Sequence, residues 1–207
     1  MEYIILAVLW IMFCIIHSGL ISIIFTDFIK RKLGDNYRYY RLFYNIFAFA
    51  TLLPVVIYSL SIRQEPFFVW AGYLKLVQYL LLITGFLCFV MGAQRYSFSQ
   101  LSGLAQIREG TNNKLVNKTG KLSCRGILGV VRHPFYAGIY PLLWSSNLDV
   151  TVLIINIILS VYVLIGTLLE ESKLILEFGD AYREYQRRVS MLFPFHWIKK
   201  KLGFVTA

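Results

Sequence analysis

Four apolar runs constrain this chain more than any other feature: Tyr3 to Phe25, Leu42 to Leu60, Tyr73 to Ala93 and Val150 to Leu169. Each holds about 20 residues, which at roughly 1.5 Å of rise per residue reaches across a hydrocarbon core of roughly 30 Å. Composition agrees: 57% of the 207 residues are hydrophobic and 15% are charged. So few polar side chains cannot cover a water-facing surface, which excludes a soluble globular domain, a disordered chain and a disulfide scaffold. Spanning helices use most of the length, so any site must be built from helix ends and the loops between them. A separate soluble catalytic domain has no room.

A fifth apolar segment, Pro134 to Asn147, is shorter. About 21 Å of helix spans only where the membrane is thin or the ends are buried in protein, and it reads as the first arm of a hairpin turning at Ser145 to Asp149. The expected fold is an all-α integral membrane protein, a single domain over residues 1–207. It has five transmembrane helices, the last two a short helical hairpin, plus a C-terminal amphipathic interfacial helix. That last helix is expected after Gly179, with Asp180 as its cap, Tyr182, Tyr185 and Val189 along it, and Pro194 at its end. The first apolar run is not read as a secretory signal. It opens with Glu2 and no basic residue, exceeds the length of a signal core, and ends in a basic cluster.

The net charge of +10 acts as an orientation signal. With five spans, 19 of the 21 Lys and Arg fall on one side and only Arg63 and Lys75 on the other. By the positive-inside rule that side is the cytoplasm, with the N-terminus outside and the C-terminus cytoplasmic. The basic residues are spread along interfacial loops without a nucleic-acid-binding motif, so anionic headgroups are their expected partners. Phe67, Phe68, Trp70 and Tyr73 mark the outer interface; Tyr37, Tyr39, Tyr40, Phe193, Phe195 and Trp197 mark the inner one. Residues 94–125 form the one long polar loop, with a turn at Gly110-Thr111-Asn112-Asn113. Cys14 and Cys88 read as apolar fillers and Cys124 lies in a polar stretch, so no disulfide framework is expected, and no pattern calls for a metal.

Two polar clusters stand where the membrane makes polarity costly. The first is Arg132-His133-Pro134-Phe135-Tyr136-Ala137-Gly138. Proline suits the first helical turn, which leaves Arg132 and His133 just outside the helix at its positive end. Free N–H groups there and a bidentate Arg132 suit a carboxylate. Gly138, one turn on, would let a ligand or a neighbouring helix approach the backbone. The second cluster is Glu170-Glu171 at the end of the fifth span. In an antiparallel hairpin the two clusters meet at the cytoplasmic interface. Adjacent helical positions lie about 100° apart, so only one glutamate can point fully into the site. Two carboxylates at a helix C-terminus also oppose the macrodipole and call for a partner.

These residues resemble the isoprenylcysteine carboxyl methyltransferase superfamily, which includes phospholipid N-methyltransferases, bacterial thiol methyltransferases and NnrU-type membrane proteins. The resemblance runs from about Leu122 to Pro194. It is carried by Gly126, the Arg132-to-Gly138 segment, Glu170-Glu171, Leu174, Phe178-Gly179, Tyr182, Tyr185, Val189 and Pro194. A weaker likeness to the thiol methyltransferase and NnrU branch lies in His17-Ser18, in Tyr40 to Asn45 and in Gly103 to Gln106. The resemblance implies methyl transfer from S-adenosylmethionine. On it, His133, Pro134, Tyr136 and Gly138 belong to the cofactor cradle, and Arg132 lies near the donor's carboxylate or the acceptor. Glu170 or Glu171 accepts from the cofactor's amino or ribose groups, and Tyr182 and Tyr185 close the site from below. Arg132, His133 and Glu171 are the expected catalytic residues. Both clusters sit at cytoplasmic helix ends, where a water-soluble cofactor can enter.

The sequence departs from the family at Leu128, a position often aromatic, and at Ser97, where the thiol-methylating branch tends to be acidic; the second departure counts against a thiol acceptor. His17 reads equally as a histidine bonded to a neighbouring helix and as a substrate-side residue. Methyl transfer mainly needs alignment and exclusion of water, with a base, His133 or a glutamate, for a thiol or lipid amine. An isoprenylcysteine carboxylate would need no base but would want Arg132. The acceptor is expected to be lipophilic or small and membrane-permeant. Two other readings stand beside this one: an NADPH-dependent membrane reductase of the sterol-reductase type, which also carries an Arg-His-Pro-x-Tyr-x-Gly segment, and a non-catalytic NnrU-like membrane protein.

Overall fold

A computed structural model of the chain describes residues 1–94, 98–109 and 124–203. The expected turn at Gly110 to Asn113, Ser97, and the basic residues Arg95, Lys114, Lys118 and Lys121 lie outside them. Among the described residues the regular elements are helical. Four helical runs are long and apolar enough to cross a membrane: Glu2–Ile21, Ile23–Ser61, Leu74–Ala93 and Val150–Phe178. By contacts the chain divides into two compact units.

The first unit draws on 1–68, 96–118 and 148–158. Helix α1 (Glu2–Ile21) stops earlier than the sequence suggested. Ser22 is extended, its hydroxyl donates to the Gly19 carbonyl and accepts from the Phe25 N–H, and α2 (Ile23–Leu33) begins there. A serine that can satisfy orphan groups on both sides makes that break inexpensive. A short 3₁₀ stretch then leads into α3 (Tyr40–Ser61). Leu6, Trp10 and Cys14, one stripe of α1, are buried with Tyr44, Val55 and Ser59 of α3. Trp10 Nε1 donates to Ser59 Oγ over 3.0 Å. The short helices α5 (Phe98–Ser102) and α6 (Leu104–Glu109) meet at Gly103, whose φ of +92° and 2.7 Å Cβ approach to the Leu42 nitrogen admit only glycine. In the same unit Asp149, fully buried, accepts from Arg63 Nε and from the Val152 N–H, each at 2.9 Å, and so caps the next long helix.

The second unit draws on 69–95, 119–147 and 159–207. It holds α4 (Leu74–Ala93), α7 (Pro134–Trp144), most of α8 (Val150–Phe178), α9 (Asp180–Arg188) and α10 (Phe195–Lys201). Helices α4 and α7 run antiparallel on a glycine seam. A Cβ at Gly92 would lie 2.6 Å from the Phe135 nitrogen, and one at Gly138 2.6 Å from the Gly85 carbonyl oxygen. At the other end of the pair Gln78 Nε2 donates to the Ser145 carbonyl. Small residues at such a seam let backbones approach closely in lipid.

Three sequence expectations change here. The fifth segment is helical only over the 11 residues Pro134–Trp144, because Ser145 caps α7 and hydrogen bonds from Trp70 and Gln78 draw Ser145 to Asn147 out as a loop. Helix α8 continues past Leu169 to Phe178. Its added turns hold good helix formers, and Leu174, Ile175 and Phe178 pack on Tyr182, Tyr185 and Val189. Glu170 and Glu171 therefore lie two turns inside a helix, and the macrodipole at its end is not what they oppose. Finally, Asp180 is the first residue of α9 and Gly179, at φ +58°, occupies the cap position. That helix ends at Arg188, and Pro194 instead begins α10.

Candidate functional site

Arg132 and His133 precede α7 in an extended segment that pairs with the chain leaving α9. The Arg132 and His133 N–H groups donate to the carbonyls of Ser190 and Met191, over 2.9 and 3.1 Å. These two backbone donors just ahead of the helix are thus spent on this strap. With the backbone fixed, both side chains turn toward α8.

Glu171 is the acceptor at the centre. Arg132 grips it with two parallel bonds, Nε to Oε1 at 2.6 Å and a terminal nitrogen to Oε2 at 2.8 Å. His133 Nε2 lies 3.0 Å from Oε1, Tyr182 Oη donates to Oε1 at 2.9 Å, and Gln186 Nε2 donates to Oε2 at 2.8 Å. The other terminal nitrogen of Arg132 bonds the Gln186 and Val189 carbonyls. The Arg132 and Glu171 side chains are only 8% and 9% exposed, and Tyr182 is buried, so these are charge-assisted bonds screened little by water. Burial and the adjacent Glu171 carboxylate push the Tyr182 phenol well above its ordinary range, which keeps it a donor.

Glu170 stands apart. Its side chain is 31% exposed and its Oε2 lies 3.9 Å from His133 Nδ1. The expectation that one glutamate enters the cluster is met by Glu171, with Glu170 at the rim. Tyr136 stacks beside the His133 ring at 5.8 Å between centroids, and Pro134 is buried at the first turn of α7. Of the two uses that glycine allows at Gly138, the structure shows the helix contact, with α4. Tyr185 Oη donates to the Leu128 carbonyl at 2.5 Å, so the main chain of that departing position is used. A cavity of about 260 Å³, lined by Met91, Gln94, Gly126 and Ile127, opens beside that segment.

Gln186 is a member of the cluster that the sequence reading missed. It stands one turn after Tyr182 on α9, and that i,i+4 spacing was the available signal. In the first unit the segments of weaker likeness also converge. Tyr44 Oη bonds the ring of His17, and Asn45 Nδ2 donates to the Leu101 and Ser102 carbonyls beside Gly103. His17 thus has the neighbouring-helix partner that one of its two readings required.

Among curated proteins, the methanethiol S-methyltransferase of Pseudomonas deceptionensis is 42% identical over 66 residues, covering 31% of this chain and 25% of that protein. Methanethiol S-methyltransferase 1 of Bradyrhizobium diazoefficiens is 35% identical over 99 residues, 46% of this chain and 33% of that protein. The methanethiol S-methyltransferase of Crocosphaera subtropica is 36% identical over 66 residues, 31% of this chain and 26% of that protein. The matched part therefore spans about a quarter to a third of the length of these relatives. No solved structure matches the chain. The family comparison covers nearly all of it: residues 5–198 match the family described as NnrU protein, and the chain belongs to that family.

Proposed function

We propose that this chain is an S-adenosylmethionine-dependent membrane methyltransferase whose acceptor is a small, membrane-permeant thiol. The observation that carries the reading is the buried Arg132–Glu171–His133–Tyr182 cluster in a chain whose curated relatives are named for methylating methanethiol, and those names outweigh the single departure at Ser97. The donor set suits the cofactor. Glu170, partly exposed, can accept from its amino or ribose hydroxyl groups, and the Tyr136 ring can offer electron density to a cation. Bound, the cofactor would supply a methyl group already activated on a sulfonium.

The protein's own share is positioning. The Arg132–Glu171 pair is a positioning element, because each group already spends its polar atoms on the other and on α9. It ties the start of α7 to α8, so that His133, Pro134, Tyr136 and Glu170 share one rim, with Tyr182 and Tyr185 beneath. Gly138 contributes by admitting α4 against the same helix. Such alignment with exclusion of water is where a transfer of this kind gains its rate.

In this reading the chain crosses the bilayer five times. Although α7 has only 11 residues, its antiparallel run beside the spanning helix α4, from Phe135 at Gly92 to Ser145 at Gln78, supports a crossing by the short hairpin arm. The N-terminus lies outside and the C-terminus in the cytoplasm. Helix α9, with Tyr182 and Tyr185 buried and Arg183, Arg187 and Arg188 exposed, lies at the inner surface. Calorimetry of S-adenosylmethionine with the detergent-purified chain tests the proposal. Binding that is lost in Glu171→Ala and His133→Ala is expected, and no binding by the wild type would refute it.

A further inference from the structure

We infer that His133 takes the acceptor's proton, and that it does so at Nδ1, with Glu170 as the counter-ion of the charged ring. The inference rests on the methyltransferase reading above and assigns within it a base that the sequence left open among three residues.

Hydrogen-bond bookkeeping at Glu171 decides between them. Its Oε1 is approached by Arg132 Nε, Tyr182 Oη and His133 Nε2, and its Oε2 by Arg132 and Gln186. An ionised carboxylate only accepts, and these five donors saturate it, so Glu171 has no lone pair to offer an acceptor. The same argument fixes the histidine. Nε2 faces an acceptor-only oxygen at 3.0 Å and must carry a proton. Tyr182 Oη, 3.5 Å from Nε2, donates its hydroxyl hydrogen to Glu171 and so has none to offer the ring. In the neutral ring the lone pair is then on Nδ1.

The surroundings of Nδ1 suit a ring that gains charge. The charge of Arg132, next in sequence, is neutralised by its bidentate bond to Glu171. Tyr136 covers a face of the ring, and Tyr182 and Glu171 hold the opposite edge. Among the described residues the charged group toward Nδ1 is Glu170, with Oε2 at 3.9 Å; neither atom has a proton to donate while the ring is neutral, and the carboxylate faces the ring once Nδ1 takes one. Glu170 is the more exposed of the two glutamates, at 31% against 9%, so the Nδ1 edge faces the rim, while the His133 side chain itself is only 6% exposed. In the step the thiol S–H bond breaks and its proton passes to Nδ1. The sulfur pair forms the new S–C bond to the donor's methyl group, and the methyl–sulfonium bond breaks with its pair left on a neutral thioether. Water then removes the proton from Nδ1.

The test compares two thiols with the full chain in detergent: an alkanethiol, protonated at neutral pH, and an electron-poor aromatic thiol that is already ionised. Donor affinity enters both rates equally and cancels in their ratio. We expect His133→Asn to lose at least about tenfold more with the alkanethiol than with the ionised thiol, over and above the loss that both share through donor binding, with Glu170→Gln shifting the ratio the same way by a smaller factor. Equal losses for both thiols would overturn the base assignment and leave methyl transfer standing. Absence of turnover by the wild type with either thiol would overturn both. Nitrogen-15 NMR of histidine-labelled wild-type protein supplies a readout apart from activity: the neutral His133 ring should carry its proton on Nε2, and a proton on Nδ1 would refute the inference.

Discussion

Replacing Glu171 with alanine is the sharpest perturbation of this fold. The substitution removes an acceptor that five donors share and leaves Arg132 charged, with its side chain 8% exposed, against two backbone carbonyls. Breaking a buried ion pair from one side costs about 3–5 kcal/mol, because the remaining charge is desolvated and unpaired. That is a large part of the roughly 5–15 kcal/mol that holds an ordinary domain together. Removing both partners, as in Arg132→Ala with Glu171→Ala, leaves no orphaned charge. The double variant should therefore lose clearly less than the two single variants summed, a positive coupling of about 1–3 kcal/mol. Reversible unfolding in mixed micelles with rising denaturing detergent, followed by helical circular dichroism, measures all three. A loss below about 1 kcal/mol for Glu171→Ala, or strict additivity in the double variant, would refute the claim that this pair ties α7 to α8.

Three further outcomes follow from particular contacts. Gly138→Leu should separate α4 from α7, because even its Cβ would lie 2.6 Å from one backbone atom and 2.8 Å from another, and neither can swing away; overpacking costs about 1–3 kcal/mol or more, seen as a lower thermal midpoint in detergent, and an unchanged midpoint would contradict the seam. Tyr182 has its phenol raised by burial and by Glu171, so its contribution is complete below the ordinary phenol value of about 10 and fades as pH rises beyond it. Melting curves above that pH should accordingly fall less steeply for Tyr182→Phe than for the wild type, while at neutral pH the variant should be weaker by roughly 1.5–3 kcal/mol for the lost bond to a charged acceptor. Cys124 is exposed whereas Cys14 is buried, so a membrane-impermeant thiol reagent should label Cys124 from the cytoplasmic side alone, slowly because partial desolvation raises its thiol; labelling from outside would reverse the proposed orientation.

The long apolar runs were legible because hydrocarbon thickness fixes helix length, and helices α1, α3, α4 and α8 match them to within a few residues except where polar chemistry intervenes. Ser22 split the first run, and Ser172 to Phe178 extended the last, because capping and packing on Tyr182 and Tyr185 outweigh an average of hydropathy. At the site the sequence supplied the meeting of Arg132-His133 with Glu170-Glu171, since an antiparallel hairpin places the start of one arm beside the end of the other. It did not supply which glutamate enters, because a rotation of 100° about α8 depends on side-chain packing. Nor could it show that the Arg132 and His133 N–H groups are used by Ser190 and Met191, a pairing between segments nearly 60 residues apart.

The central claim is that the chain transfers a methyl group from S-adenosylmethionine to a small thiol. Incubation of the purified full-length protein with methanethiol and methyl-labelled S-adenosylmethionine, with the headspace analysed for labelled dimethyl sulfide, tests it most directly. Labelled product that forms with the wild type and disappears with His133→Asn is the predicted result. No labelled product from wild-type protein that is folded would contradict the account.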